Sequence, residues 1–113
     1  MADEGTSDVP ILEAREAIVL WGKRAALFVD VREPREWNLF RIPGAVHAPL
    51  GELADRLHRA PLARPSELII VYCGRGNRSR KAARVLKAMG YSSVWSVAGG
   101  VMEWIFRAGP VEE

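Results

Sequence analysis

Cysteine is almost missing from this chain: Cys73 is the only one in 113 residues. One thiol closes no internal disulfide, so nothing argues for a disulfide-stapled secreted scaffold. Histidine is nearly as scarce. His47 and His58 stand apart without evident partners, and no Cys/His cluster has zinc-ligand spacing. Apolar runs of membrane-spanning length are absent, and the opening MADEGTSD is acidic rather than signal-like. Repeats and low-complexity linkers are absent too. The expectation is a cytoplasmic protein that engages no membrane and uses no metal and no cofactor. Its length fits one domain, with residues 1–7 as a flexible N-terminus, and can bury a core without disulfides or metal.

Acid is also missing, locally. Between Leu68 and Met102 there is no Asp or Glu, yet six bases: Arg75, Arg78, Arg80, Lys81, Arg84 and Lys87. The whole chain carries only +2, so a basic patch centred on the lone cysteine is set against an acidic remainder. Such a patch attracts anions. Arg84 and Lys87 read as a solvated helix face, whereas Arg75 and Arg78 fall on the loop beside Cys73 and read as functional. The bases cluster near the cysteine and no nucleic-acid motif is present, so nucleic acid is not the expected partner.

What is present alternates between short apolar runs and helical spacing. Ile11, Leu12, Ala14, Ala17, Ile18 and Trp21 have the period of a helix, with Asp8 as a cap and Gly22 as a stop. Buried strands are expected at Ala25–Val31 and Leu68–Tyr72, a short one near Ala45–His47, and another at Ser93–Ala98. Helices are expected for a turn after Pro34, over Glu52–Arg59, over Ser79–Met89 with Gly90 after it, and over Val101–Arg107. This order suggests an α/β domain with a mostly parallel sheet. In such sheets ligands bind beyond the carboxyl ends of the strands. Cys73 and the pair Asp30 and Arg32 fall at such ends and should share one edge.

The segment YCGRGNRSR, Tyr72 to Arg80, then carries the chemistry. Gly74 and Gly76 let the backbone bend where side chains would collide. A loop of this kind turns several N–H groups toward one spot, and the following helix adds unpaired N–H groups and its positive end. Arg75 and Arg78 add full charges. All these effects favour a thiolate at Cys73, hence a nucleophile. Asn77 lies within the loop, and Ser79 either caps the helix or holds the sulfur with its hydroxyl. An inert cysteine filling a strand end would not need this setting.

Four pieces in order resemble the rhodanese superfamily, specifically its single-domain sulfurtransferases. They are DVREPREW (Asp30–Trp37), RIPGAVHAPL (Arg41–Leu50), VYCGRGNRSR (Val71–Arg80) and VAGGVMEWIFRAGPV (Val97–Val111). The resemblance covers about residues 8–111. It implies a three-layer, rhodanese-like α/β domain with a five-stranded, mostly parallel sheet flanked by helices. It also implies that Cys73 carries a sulfane sulfur as a persulfide, cradled by the backbone of Gly74, Arg75, Gly76, Asn77, Arg78 and Ser79. The implied partners are a small anionic donor such as thiosulfate and a thiol or cyanide acceptor. A protein donor or acceptor is the alternative, with the domain acting as a persulfide carrier. The second piece departs from the family pattern, since Phe40 and Arg41 stand where Gly-His commonly precedes Ile-Pro-Gly-Ala.

Related phosphatases and arsenate reductases hold a tetrahedral oxyanion in a loop with five residues between Cys and Arg. Here four residues, Gly74 to Asn77, separate Cys73 from Arg78, a smaller ring better suited to one sulfur atom. Asp30 either positions the loop or pairs structurally with Arg32, and the pairing is favoured because it precedes the bend. Glu36 is expected to answer Arg32 or Arg35. Trp37, Trp95 and Trp104 read as core or pocket wall, and Gly99-Gly100 as a close backbone passage under the site.

Overall fold

The computed structural model describes residues 9–113. Along them the elements run β1 (Ile11–Leu12), α1 (Ala14–Gly22), β2 (Leu27–Asp30), α2 (Pro34–Leu39), β3 (Val46–His47), α3 (Leu50–Arg59), β4 (Ile69–Tyr72), α4 (Asn77–Ala88), β5 (Val94–Val97) and α5 (Gly100–Phe106). All strands pair in parallel, in the order β1-β5-β4-β2-β3. No described helix is long and apolar enough to cross a membrane.

The central strand β4 explains the layering. Its side chains alternate between faces, as any strand's must. Ile69 and Val71 pack with Leu53 and Leu57 of α3 and with Ala82, Ala83 and Leu86 of α4. Ile70 and Tyr72 pack on the other side with Ala14 and Ala17 of α1 and Val101 and Trp104 of α5. Because both faces are covered, the strand reads as a continuous apolar run. Trp104 is fully buried, edge-on to Trp21 and Phe28. Its indole N–H donates to the carbonyl of Pro110 at 2.7 Å.

Two elements depart from the sequence expectation. Ile11 and Leu12 are not the start of a helix but a strand, aligned with Ser96 and Val97 of β5. Their spacing fits a helix. The exposed edge of β5 nevertheless offers backbone partners: Ser96 N–H donates to Pro10 O, and Ala98 N–H to Leu12 O. Tertiary pairing thus overrides a local pattern. The helix begins at Ala14 behind Glu13, while the expected cap at Asp8 and the terminus at residues 1–7 lie outside the described residues. The second departure is at α4, which starts at Asn77 rather than Ser79, with Gly76 as its cap residue at φ +111°. The helix after Pro34 is longer than one turn. Glu33 and Glu36 form a reciprocal capping box around it, and Pro34 occupies its first turn.

Candidate active site

β4 delivers Cys73 to the carboxyl edge of the sheet, where it is buried. Its Sγ accepts N–H bonds from Gly76 at 3.1 Å and from Ser79 at 3.3 Å. The thiol lies 3.6 Å from Ser79 Oγ and donates to it. The first residues of the loop are held by α5 through their carbonyls. Val101 N–H donates to Cys73 O at 2.8 Å, and Met102 N–H to Gly74 O at 3.2 Å. This contact requires Gly100. Its φ is +61°, and a Cβ there would lie 2.5 Å from both Cys73 O and Gly74 O. The expected close passage of Gly99-Gly100 is therefore present.

Ser79 does not cap α4. Gly76 occupies the cap position, and the Ser79 hydroxyl instead donates to Gly76 O at 3.1 Å and meets Ser96 Oγ at 2.7 Å. Its hydroxyl lies beside the sulfur, 3.6 Å from Cys73 Sγ. Asn77 is exposed at the first position of the helix.

The two loop arginines differ. Arg78 is clamped by Glu36 in a two-pronged ion pair, Nη1 to Oε1 at 2.6 Å and Nη2 to Oε2 at 3.0 Å. Glu36 thus answers Arg78, not Arg32 or Arg35 as sequence order suggested. The hydrogen bonds from Arg78 pull the Glu36 carboxyl down from 4.5 to about 2, against partial burial and with help from the Glu33 N–H. The hydrogen bonds to Glu36 in turn raise Arg78 further above its ordinary range, against its partial burial. Arg75 is exposed, and no described acid forms an ion pair with it. It borders a cleft of about 420 Å³ with Gly99, Met102, Glu103 and Phe106. It also borders one of about 200 Å³ on the side of Asn77, Arg80 and Ser96. A cavity of about 490 Å³ among Trp21, Arg24, Leu27 and Pro43 lies at the amino end of β2, away from the sulfur.

Asp30 and Arg32 form a second ion pair beneath this surface, both fully buried. Arg32 Nη2 reaches Asp30 Oδ2 at 2.8 Å and Phe40 O at 2.6 Å, and its backbone N–H donates to Asp30 Oδ1 at 2.9 Å. Burial works against the guanidinium charge, but the bonds to Asp30 outweigh it and hold Arg32 above its ordinary value. The rings of Phe40 and Tyr72 flank the guanidinium at 5.2 and 5.7 Å. Burial, followed by the nearby Asp30 charge, keeps the Tyr72 phenol neutral, and its oxygen accepts the N–H of Ile42. The side-chain hydrogen bonds of this pair go to each other, to the Arg32 N–H and to the carbonyl of Phe40 at the end of α2, with none among the described residues to the cysteine loop. Its reach to the site is through Tyr72, the residue before Cys73.

Other expectations resolve similarly. His47 has partners after all: its Nε2 donates to Arg32 O at 2.9 Å and its ring stacks on Trp37 at 4.6 Å. His58 Nδ1 lies 2.8 Å from Ala54 O, within its own helix. Arg41 turns toward Trp37, and its Nε lies 3.6 Å from Glu112, so its charge is spent on bracing the C-terminal segment. Sequence reasoning missed two residues at the site, Glu36 as the partner of Arg78 and Ser96 as the partner of Ser79. A serine in an otherwise apolar buried strand was the one available signal for the latter.

Comparison with known proteins agrees with this geometry. The family model for the rhodanese-like domain matches residues 13–106. The thiosulfate sulfurtransferase GlpE of Pseudomonas putida is 35% identical over 98 residues, covering 87% of this chain and 86% of its own. GlpE of Pseudomonas syringae is 38% identical over 82 residues, covering 73% and 74%. Among solved structures, a Rhodopseudomonas palustris protein described as a possible tyrosine phosphatase superposes with a TM-score of 0.81 at 28% identity, covering 99% of this chain and 97% of that one. A five-stranded parallel sheet, one buried cysteine in an amide-lined loop and these relatives lead to one conclusion: the chain belongs to the rhodanese-like family.

Proposed function

We propose that this protein is a sulfurtransferase that moves a sulfane sulfur from a thiosulfate-like donor to a thiol or cyanide through a persulfide on Cys73. The observation that carries the reading is the sulfur's own setting: the chain's single thiol accepts two backbone N–H bonds at the start of a helix. Two such donors stabilise an anion there, whether thiolate or persulfide.

The chemistry divides into two balanced steps. The Cys73 thiolate attacks the outer sulfur of thiosulfate. A new S–S bond forms, the donor's S–S bond breaks, and its electron pair leaves on sulfite. Cyanide or a thiolate then attacks the terminal sulfur of the persulfide and takes it, and Cys73 departs again as thiolate. No oxidant enters. Arg75, exposed and with no acid partner among the described residues, draws the dianion in. Arg78 works mainly by holding the loop against α2, since Glu36 occupies both of its prongs. The four-residue spacing between Cys73 and Arg78 favours a site for sulfur over one for phosphate.

A protein-borne thiol as acceptor is the second reading. It is favoured by Met102 and Phe106 beside Arg75, which are 48% and 77% exposed. Steady-state transfer from thiosulfate to cyanide, run beside an aryl phosphate and the Cys73→Ser variant, tests the first reading. Ping-pong kinetics lost in Cys73→Ser are expected. Full turnover by that variant, or phosphate hydrolysis at a comparable rate, would sink it.

A further inference from the structure

Ser96 plays no part in the steps above, yet its place is unusual. It lies within β5, is buried, and is flanked along the strand by Trp95 and Val97. Strands covered on both faces are normally apolar, and a buried hydroxyl without a partner is costly. The hydrogen bond of Ser96 Oγ goes to Ser79 Oγ at 2.7 Å. Ser79 Oγ is in turn 3.1 Å from Gly76 O and 3.6 Å from Cys73 Sγ.

Proton accounting assigns the direction of this chain. Each hydroxyl has one proton to donate and two lone pairs to accept with. With Cys73 as a thiol, S–H points at Ser79 Oγ while the Ser79 proton goes to Gly76 O. The proton between the two serines must then come from Ser96. With an anionic sulfur, the acceptor needs donors, and the Ser79 O–H can swing from Gly76 O to the sulfur. Gly76 is partly exposed, so water can replace the bond it loses. Throughout, Ser96 donates into Ser79 Oγ, which polarises the Ser79 O–H toward the charge.

We infer that Ser96 is a positioning residue: acting through Ser79, it supplies a third donor to the charged sulfur of Cys73, beside the N–H groups of Gly76 and Ser79. The inference rests on Cys73 being the nucleophile. Its charge need not come only from the loop and the arginines; part is held by a strand on the far side of α4's first turn.

The test measures alkylation of Cys73 by iodoacetamide across pH, together with kcat and KM for thiosulfate. It compares the unaltered protein with Ser96→Ala, Ser79→Ala and the double variant. In Ser96→Ala the alkylation profile should move to higher pH. Its rate at neutral pH and kcat should both fall about three- to tenfold, the worth of one neutral hydrogen bond passed on through Ser79, with KM little changed. In the Ser79→Ala background, adding Ser96→Ala should change nothing more. A Ser96→Ala profile that superimposes on the original, or effects of the two variants that simply add, would overturn the inference. Should Ser96→Ala fold poorly, Ser96→Thr and Ser96→Val differ only in the hydroxyl at nearly constant shape. The threonine should keep the original profile and the valine should shift it, and identical profiles would count against Ser96. An unaltered protein that alkylates at Cys73 but transfers no sulfur would instead overturn the sulfurtransferase reading, leaving the alkylation comparison to judge Ser96.

Discussion

Two arginine–carboxylate pairs sit at the same edge of the sheet and use the same two-pronged geometry, but their surroundings differ. Asp30 and Arg32 are fully buried, and Arg32 is further enclosed by Phe40 and Tyr72. Glu36 and Arg78 are each about a third exposed, with side-chain exposures of 30% and 36%. The first pair is two residues apart and shapes the turn from which α2 departs; the second is 42 residues apart and ties α2 to the cysteine loop. A buried pair is dangerous to break because the survivor is left charged in a poor solvent. A half-exposed pair is cheap to break for the fold, since water re-solvates both ends. Its effect should fall on the loop it holds. Similar contacts at one sheet edge thus divide into one that secures the structure and one that adjusts the site.

The largest effect should come from Arg32→Leu, which strands Asp30 in the core. A loss of about 3–5 kcal/mol is expected, read by urea unfolding. Arg78→Leu should cost stability only about 1 kcal/mol or less while lowering sulfur transfer at least tenfold by loosening the loop. Equal stability losses in the two variants would erase the distinction between the two pairs. Glu36→Gln sharpens the contrast further. It weakens the same clamp from the α2 side but leaves the Arg78 charge in place, so sulfur transfer should fall by a small factor, about two- to fivefold, less than in Arg78→Leu.

The same residue predicts an acid response. The folded Glu36 carboxyl lies at about 2, below its ordinary 4.5. Its contribution is therefore present above pH ~4.5 and lost as pH falls toward 2. Acid unfolding curves of Glu36→Gln and the unaltered protein should converge in that window and run parallel above it. The smallest effect belongs to Arg75→Gln. A rise in KM of a few-fold, unchanged kcat and a weaker salt dependence of kcat/KM are expected.

How legible this was depended on whether partners are neighbours in sequence. The strands β2, β4 and β5 were visible because burial on both faces leaves an apolar run of its own. The cysteine loop was visible because its glycines, arginines and serine fall within seven consecutive residues, Cys73 to Ser79. β1 was not. Ile11 and Leu12 have helical spacing, and only the edge of β5 makes them a strand. Nor was the clamp on Arg78, because Glu36 reaches it only once α2 and α4 are brought over the same strand ends. The partner of Ser79 lies 17 residues downstream on another strand, set by the crossover through α4. His47 looked idle because its hydrogen-bond partner is a backbone carbonyl, a group that no sequence pattern marks. The elements were thus readable from local periodicity, whereas the wiring between them was set by topology.

In the proposed cycle the travelling sulfur rides on Cys73 Sγ, and intact-mass measurement tests this most directly. After incubation with thiosulfate and removal of small molecules, the unaltered protein should gain the mass of one sulfur atom and lose it on adding cyanide. Cys73→Ser should gain nothing. No mass gain in the unaltered protein, or an equal gain in Cys73→Ser, would contradict it.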